Sequence, residues 1–224
     1  MIEVIIRPGA ERTESPATAT GTGQIEDIVI ASVGGQGAIL ATRILASLFL
    51  GQGWEVKTSE VHGMAQRGGS VESHVRRGRT VHSPLVPRGE ANLLLALEQL
   101  EALRFLPWLR SGGTCVCSTE RIAPVTVTQG NQAYPEGVRE ILAEKAGTLL
   151  WVDAPALARG AGNLRAANVA LLGALSPLLE ATEQEWQQAI TAHLPERVRA
   201  VNLAAFRLAR ELSLARLHAG TRPA

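Results

Sequence analysis

The sequence predicts a three-layer α/β fold with a mainly parallel sheet and C-terminal helices. Three observations support this. A β-branched run at residues 28–31 leads into a glycine turn and then an apolar helix, which is the order of a Rossmann-like opening βαβ unit. Short apolar runs then alternate with helical segments as far as Asp153. From Ala154 onward the pattern is helical only, and such an order favours a sheet covered by helices on both faces.

Length and composition limit the class of protein. The chain has 224 residues, of which 46% are hydrophobic and 19% charged, and this suits one folded domain. A formal charge of +1 gives no electrostatic reason to bind nucleic acid or an anionic membrane. The apolar runs end well before the ~20 residues of a membrane span, and no secretory signal is visible. We therefore expect a cytoplasmic protein.

We divide the chain into three parts. Residues 1–24 are predicted to be a mobile N-terminal arm, because residues 8–24 are rich in Pro, Gly, Ser, Thr and Ala. Within that arm, residues 1–6 alternate weakly and suit an edge strand. Residues 25–218 are predicted to form the folded domain, and residues 219–224 a short tail.

The opening elements place two candidate loops at one edge of the sheet. The glycine turn at residues 34–37 separates a first strand from a helix over 38–49, and residues 54–58 suit a second strand. This order predicts a right-handed parallel crossover. Residues 59–69 contain His, Met, Gln, Arg and three glycines, and are predicted to be a loop. Both the turn and this loop follow strands, and ligands bind at the carboxyl ends of parallel strands.

The remaining elements follow from the same patterns. Residues 70–76 alternate as a half-covered strand, with residues 80–81 as its hairpin partner, and 91–97, 113–118 and 149–153 suit buried strands. Helices are predicted over 99–109, disturbed at Pro107, and over 135–146. The last three helices are predicted over 165–179, 183–193 and 196–217. Thr182 and Glu185 are spaced as a capping box for the second of these.

The glycine turn is a candidate anion site. Gly34 and Gly37 match the last two glycines of the G-x-G-x-x-G pattern, with Ser32 in place of the first. The N-terminus of the following helix offers free N–H groups to a phosphate. A tight turn that binds nothing explains the same residues. Glu60 lies 23 positions after Gly37, where a dinucleotide enzyme places its ribose-binding acid, so an independent nicotinamide-dependent oxidoreductase is an alternative.

Residues 62–69 carry several functional side chains. Histidine is the residue type that most often carries protons near neutral pH, so His62 is a candidate proton carrier, although a loop histidine bonded to the backbone is the simpler interpretation. Arg67 precedes two glycines and is a candidate clamp for a carboxylate or phosphate, or else a surface ion-pair partner. Gln36, Gln66 and Asn168 suit either ligand contacts or buried backbone groups.

Other candidates have structural explanations. His74 and His82 flank strand-like segments, and we assign them structural roles. Cys115 and Cys117 fall on one face of a predicted strand. A metal site would need two further ligands, and an iron–sulfur cluster usually needs four thiolates, so buried structural cysteines are the better interpretation. No metal site is predicted in this chain.

Several motifs in the right order resemble one family. They are VGGQG at 33–37, KTSEVHGMAQRGGSV at 57–71, SPL at 83–85, LLALE at 94–98 and AGNLRAANVALLGAL at 161–175. Together they resemble the beta subunit of indolepyruvate:ferredoxin oxidoreductase. That subunit is similar in turn to the gamma subunit or domain of pyruvate and 2-oxoglutarate ferredoxin oxidoreductases. The resemblance runs from residue 26 to about residue 210.

The resemblance implies a function shared with a partner. In this family an aryl 2-oxoacid is decarboxylated on thiamine diphosphate, its acyl group goes to coenzyme A, and electrons pass through [4Fe-4S] clusters to ferredoxin. Thiamine diphosphate and the clusters belong to a large alpha subunit. The small subunit, inactive alone, completes the active site, and the equivalent domain of relatives contributes to the coenzyme A region. Neither nucleic acid nor membrane is an expected partner.

The resemblance also carries over individual residues. As catalytic residues it implies His62 and Arg67. As cofactor-binding residues it implies Gly34, Gly35, Gln36, Gly37, Met64, Gly68, Gly69, Asn163 and Asn168. Ser32 departs from the family's usual glycine. A third hypothesis, a protein that only docks a partner, predicts that changing His62 or Arg67 leaves activity intact.

Overall fold

The computed structural model describes residues 1–7, 26–63 and 68–219. Within these ranges seven strands form one sheet in the order β1-β7-β6-β5-β2-β4-β3. The central four, β2, β5, β6 and β7, pair in parallel, whereas β1 and β4 run antiparallel to their neighbours. The predicted α/β class with a mainly parallel sheet is confirmed. The strands are β1 (Ile2–Ile6), β2 (Glu26–Val33), β3 (Glu55–His62), β4 (Ser70–Gly78), β5 (Ala91–Ala96), β6 (Leu109–Ser118) and β7 (Thr148–Val152).

Helices cover both faces of the sheet and give three layers. Along β2, Ile28 and Ile30 face one core, which is closed by α1 and α5–α8, whereas Val29 and Ala31 face a second, smaller core closed by α2 and α4. This alternation is expected of a strand that is buried on both sides. The helices are α1 (Ala38–Gly51), α2 (Gln99–Phe105), α3 (Val125–Thr128), α4 (Val138–Lys145), α5 (Ala154–Gly160), α6 (Ala167–Leu175), α7 (Glu183–Ala192) and α8 (Glu196–Ala219).

The opening unit differs from the predicted crossover in one respect. β4 is inserted between β2 and β3 and is antiparallel to both, so the two strands that flank α1 are not neighbours. The predicted hairpin partner for β4, residues 80–81, is therefore wrong, because β3 occupies that place. Residues 59–62, predicted as loop, belong to β3, whose register with β4 runs from Glu55 opposite Gly78 to His62 opposite Val71.

The C-terminal half is helical, as predicted. The single helix expected over 165–179 is α6 flanked by two short 3-10 turns, Leu164–Ala166 and Ser176–Leu178. Gly173 of α6 lies against α8 so closely that a Cβ there would stand 2.2 Å from the carbonyl oxygen of Phe206. The predicted capping box of α7 is present, formed by Thr182 and Glu185. None of the helices in the described ranges has the length and apolarity needed to cross a bilayer.

The predicted edge strand near the N-terminus is present as β1. Ile2 is buried in the larger core, and the ends of β1 bond to the chain around β7, from the Asp153 N–H to the Met1 carbonyl at 2.9 Å and from the Arg7 N–H to the Gly147 carbonyl at 3.1 Å. The rest of the predicted mobile arm and the tail beyond Ala219 lie outside the described residues.

Candidate functional site

The carboxyl ends of the parallel strands gather most of the predicted site residues. The glycine turn follows β2, Leu97 and Glu98 follow β5, and Glu120 stands just after β6. β3 points the same way as β2, so His62 reaches the same edge. Loops at this edge are where α/β sheets bind ligands, because neighbouring connections diverge there.

The glycine turn is joined directly to the end of the loop between β3 and β4. The Gly34 N–H donates to the Gly69 carbonyl at 2.8 Å, and the Gly68 N–H donates to the Gly34 carbonyl at 3.2 Å. These bonds extend the β2–β4 ladder, which ends with Val33 opposite Ser70. Two segments about thirty residues apart in sequence therefore form one surface.

Left-handed backbone shapes the turn at Gly35 and Gly37. Their φ angles are 107° and 88°, a region that residues with a Cβ rarely adopt. Gly37 also caps α1, whose first turn contains no acidic side chain. The helix N-terminus thus keeps a positive dipole end that suits an anion.

Gln36 ties three strand ends together. Its side-chain oxygen accepts the Val33 N–H at 2.8 Å, and its Nε2 donates to the Leu97 carbonyl at 2.9 Å and to Glu120 at 3.2 Å. These bonds use both the acceptor and the N–H donors of the amide. Gln36 therefore holds the shape of the turn through protein partners.

Asn168 holds the turn from the other side, and Asn163 does not. The Nδ2 of Asn168 donates to the Gly37 carbonyl at 3.1 Å, and a Cβ at Gly37 would lie 2.4 Å from that same Nδ2. Asn163 instead caps the 3-10 turn that precedes α6, accepting the Arg165 N–H at 3.0 Å. Of the two asparagines implied by the resemblance, the structure brings only Asn168 to the glycine turn.

His62 ends β3 and is exposed. Its Nδ1 lies 3.1 Å from the carbonyl oxygen of the adjacent Gly63. It pairs with Val71 of β4, which pairs in turn with Ser32 of β2. Two strand spacings, roughly 10 Å, therefore separate His62 from β2. Met64, Gln66 and Arg67 lie outside the described residues.

Glu60 does not occupy the position that a dinucleotide enzyme needs. It is exposed on β3 opposite Ser73, and β4 stands between β3 and the strand that carries the glycine turn. Ser32, at the first glycine position of the pattern, is buried inside β2, with its hydroxyl 3.5 Å from the Val71 carbonyl. The inserted strand removes the geometric basis of the nicotinamide alternative.

Two buried carboxylates at this edge were missed by the sequence interpretation. Glu98 caps α2, accepting the Glu101 N–H at 2.9 Å, and also accepts the Ile122 N–H and the Tyr134 hydroxyl. Burial and the Glu98 carboxylate raise the pKa of Tyr134 well above its usual range. The acid at the end of the LLALE motif, one residue before a helix, is the signal that points to Glu98.

Glu101, in the first turn of α2, is only 3% exposed. It accepts hydrogen bonds from the Ser70 hydroxyl and from Arg104, the latter at 2.7 Å. Desolvation raises the pKa of Glu101, against the opposing effects of Ser70 and Arg104. Nothing in the local sequence predicts this burial, because it depends on how α2 packs on β2 and β5 and on the bond from Ser70 of β4.

The remaining candidates are structural, as predicted for His74 and the two cysteines. His74 accepts the Val86 N–H at Nδ1 and donates from Nε2 to Glu72 at 2.7 Å, which fixes its tautomer. Cys115 and Cys117 are fully buried in the smaller core, and burial raises the pKa of Cys115 to about 12. Within the part of the chain that the structure describes, no cluster of three or more His, Cys, Asp or Glu is placed to hold a metal ion.

Comparison with known proteins identifies the family. The family model described as pyruvate ferredoxin/flavodoxin oxidoreductase matches residues 27–212. This chain belongs to that family. Strand β1 lies outside the part of the chain that this oxidoreductase family model covers.

Two curated relatives are archaeal oxidoreductase subunits. The indolepyruvate oxidoreductase subunit IorB of Thermococcus kodakarensis is 39% identical over 187 residues, which cover 81% of this chain and 93% of that protein. The IorB subunit of Methanothermobacter thermautotrophicus is 36% identical over 185 residues, 81% of this chain and 94% of that protein. The resemblance predicted from the motifs is confirmed.

Solved structures of oxidoreductases in this family share the fold. The keto/oxoacid ferredoxin oxidoreductase gamma subunit of Geobacter sulfurreducens matches with a TM-score of 0.60 and 23% identity, covering 85% of this chain and 99% of that one. The 2-oxoglutarate:ferredoxin oxidoreductase of Magnetococcus marinus matches with a TM-score of 0.64 and 22% identity, covering 86% of this chain and 31% of that longer chain.

Proposed function

We propose that this chain is the small subunit of a coenzyme A-acylating, indolepyruvate-type 2-oxoacid oxidoreductase. In this proposal it completes the active site of a larger alpha subunit, which holds thiamine diphosphate and [4Fe-4S] clusters. The complex converts an arylpyruvate to an aryl-acetyl-CoA and passes electrons to ferredoxin. The relatives support this assignment through their identity and their coverage, since the chain spans 93% of the Thermococcus kodakarensis subunit.

The cysteines of this chain do not fit an iron–sulfur cluster. A cluster usually needs four thiolates, whereas Cys115 and Cys117 are buried in an apolar core and burial holds their thiols protonated. Clusters and thiamine diphosphate are therefore assigned to the larger subunit. This chain contributes shape, anion contacts and a titratable side chain.

The observation that carries the proposal is the joining of Gly34 to Gly68 and Gly69. It sets the end of the loop over residues 62–69 beside the N-terminus of α1. We assign the phosphates of coenzyme A to the turn at residues 34–37, where backbone N–H groups and the helix dipole favour anions. Arg67, immediately before Gly68, supplies a cation for a carboxylate or phosphate.

The same edge is assigned to face the larger subunit. Three large apolar side chains are exposed around the turn: Ile39 at 46%, Val61 at 47% and Leu164 at 49%. Ile39 is the second residue of α1, Val61 precedes His62, and Leu164 lies four residues before Asn168. Covering these side chains with a partner removes apolar surface from water and closes the site around its substrates.

His62 tests the proposal most directly. In the complex with the larger subunit, His62→Ala should slow turnover more than tenfold, the size of effect expected for an acid–base contributor. Arg67→Ala should raise the KM for coenzyme A or for the 2-oxoacid. His82→Ala, which removes another exposed histidine, is the matched control and should leave both constants unchanged.

The assay begins with anaerobic purification of a tagged chain from its host, with iron and thiamine analysis. Recovery with a larger iron- and thiamine-containing subunit supports the proposal and supplies the material for kinetics. Recovery of the chain alone contradicts it. Normal kinetics of both variants in an intact complex would instead mean that the chain only docks its partner.

A further inference from the structure

Ser70 connects the loop over residues 63–69 to the body of the domain. It is the first residue of β4, directly after Gly69, and it pairs with Val33 at the end of β2. Its hydroxyl donates a hydrogen bond across the sheet edge to the Glu101 carboxylate. The end of this loop is therefore held by two backbone bonds from the glycine turn and by one side-chain bond from α2.

Glu101 is itself fixed. Its backbone N–H donates to Glu98, its carboxylate binds Arg104, and α2 begins with Gln99, whose Nε2 donates to the Thr119 carbonyl at 2.7 Å. A carboxylate buried to this extent is costly unless hydrogen bonds compensate it. Arg104, its one cationic partner in the described residues, is itself 46% exposed. Glu101 thus gives Ser70 an acceptor that is fixed in the body of the domain.

We propose that Glu101 is a positioning residue for the reaction. Through the Ser70 hydroxyl it holds Gly68 and Gly69 against Gly34, and so fixes the backbone of the two residues that follow Arg67 in sequence. The inference rests on the proposed function for the role of this loop, and it goes beyond the family resemblance, which names neither Glu101 nor Ser70. The proposed role of Glu101 is to orient binding groups, since small misplacements of such groups reduce the rate or the affinity by large factors.

The effect of losing the bond follows from this geometry. Without the Ser70–Glu101 bond, Ser70 still pairs with Val33 of β2. The end of the loop is then held only by the two backbone bonds of Gly34 with Gly68 and Gly69. We expect weaker substrate binding with little change in the chemical step. The expected size is about fivefold in KM, comparable to the loss of one hydrogen bond.

The variants separate this bond from its surroundings. Ser70→Ala removes the donor and leaves the Glu101–Arg104 pair intact, so it is expected to fold even where Glu101→Ala does not. Ser70→Thr and Glu101→Gln keep a hydroxyl donor and an oxygen acceptor respectively, and should restore wild-type behaviour. Ser213→Ala is the matched control, because the buried Ser213 hydroxyl also donates one hydrogen bond, to the Ala174 carbonyl, but lies on α8.

Two measurements are made on the complex with the larger subunit. Hydrogen–deuterium exchange reports on the Gly34 and Gly68 amides through peptides that cover residues 31–37 and 65–75. We expect about fivefold faster exchange there in Ser70→Ala, and wild-type exchange in Ser70→Thr and Ser213→Ala. Steady-state kinetics should show that Ser70→Ala and Arg67→Ala raise the same KM, either that for coenzyme A or that for indolepyruvate. The kcat of Ser70→Ala should stay within about twofold of the wild-type value.

The outcomes distinguish this inference from the proposed function. Unchanged exchange in Ser70→Ala overturns the inference whatever the kinetics show. Faster exchange with unchanged KM, while Arg67→Ala still raises KM, overturns the inference alone. If neither variant changes KM, the assigned role of the loop fails and the positioning role fails with it. Equal shifts in KM that do not add in the Arg67→Ala, Ser70→Ala double variant support both.

Discussion

The two ends of the β2–β4 pair are built from different interactions. At the amino end of β2, Asp27 receives two bonds from Arg76, at 2.7 and 3.0 Å, and Glu26 binds Arg77, whose guanidinium lies 4.4 Å from the centre of the Phe49 ring. At the other end, backbone bonds join Gly34 to Gly68 and Gly69, and the Ser70 hydroxyl donates to Glu101.

The amino end of the pair contributes to stability, whereas the carboxyl end is part of the candidate binding site. The amino end is closed, because each of the two acids has an arginine across the strands and little is left for a ligand. At the carboxyl end, the first turn of α1 contains no acidic side chain, and its positive dipole end suits an anion. Three predictions test this difference, from the largest expected effect to the smallest.

Removing Arg77 should break the amino end. Arg77→Met leaves the Glu26 carboxylate buried without its cation, and loss of one partner of a buried pair costs about 3–5 kcal/mol of unfolding free energy. Urea unfolding, followed by tryptophan fluorescence, measures this loss. Lys57→Met removes a Lys from an exposed pair with Glu55 and should cost at most about 1 kcal/mol.

The same variant has a pH signature. Burial raises the pKa of Glu26, so a proton binds the folded protein more tightly than the unfolded one. At a pH above this raised pKa, the ionised Glu26 carboxylate lowers the free energy of unfolding. This loss disappears as the pH falls through the pKa, because the carboxyl group becomes protonated. The deficit of Arg77→Met should therefore shrink between pH 7.5 and pH 5. A deficit that grows on acidification would contradict this account of the amino end.

A methyl group at Gly37 should disturb the carboxyl end. Gly37→Ala forces a left-handed conformation and places a Cβ 2.4 Å from the Asn168 Nδ2. Strain in this conformation costs about 1–2 kcal/mol, and overpacking adds about 1–3 kcal/mol. Gly35→Ala is the matched control, with a similar φ and open space around its Cβ, so it should cost the strain alone. Equal losses of unfolding free energy in both variants would show that the Asn168 side chain moves aside at little energetic cost.

Glu101 gives the smallest effect. Desolvation raises its pKa, so the folded wild type takes up a proton at a pH where the unfolded chain does not. Wild type should gain stability relative to Glu101→Gln as pH falls from neutral toward the ordinary carboxyl value of 4.5. Unfolding titrations at pH 7.5 and pH 5 measure the change in this difference. A constant difference would mean that the carboxyl group titrates alike in both states.

Local pattern was sufficient for much of the fold. The glycine turn, the buried strands β5 and β7 and the capping box at Thr182 all depend on residues close together in the sequence. The insertion of β4 between β2 and β3 was missed, because β4 enters the sheet beside β2 through pairings such as Val33 with Ser70. The end of β3 was missed because an exposed edge strand that carries Ser59, Glu60 and His62 lacks an apolar signal.

Some residues of the candidate site were likewise predicted from the sequence, and others were not. Gln36 and Asn168 were singled out by type and spacing, and the structure places both at the glycine turn. Their protein partners, Leu97, Glu120 and Gly37, come from other strands and helices and have no local signature. Glu101 shows the same limit, since its burial arises only when α2 packs beside Ser70.

The pairing of β1 has a consequence for the order of folding. Ile2 lies opposite Val152, so about two thirds of the chain separates this strand from its partner in sequence. On the ribosome β1 emerges on the order of ten seconds before β7 at usual rates of synthesis. Closing so long a loop is slow, because chain entropy is lost before the contact forms. We therefore expect β1 to be the last strand to join the sheet, and the edge of β7 to stay open to other chains until it does.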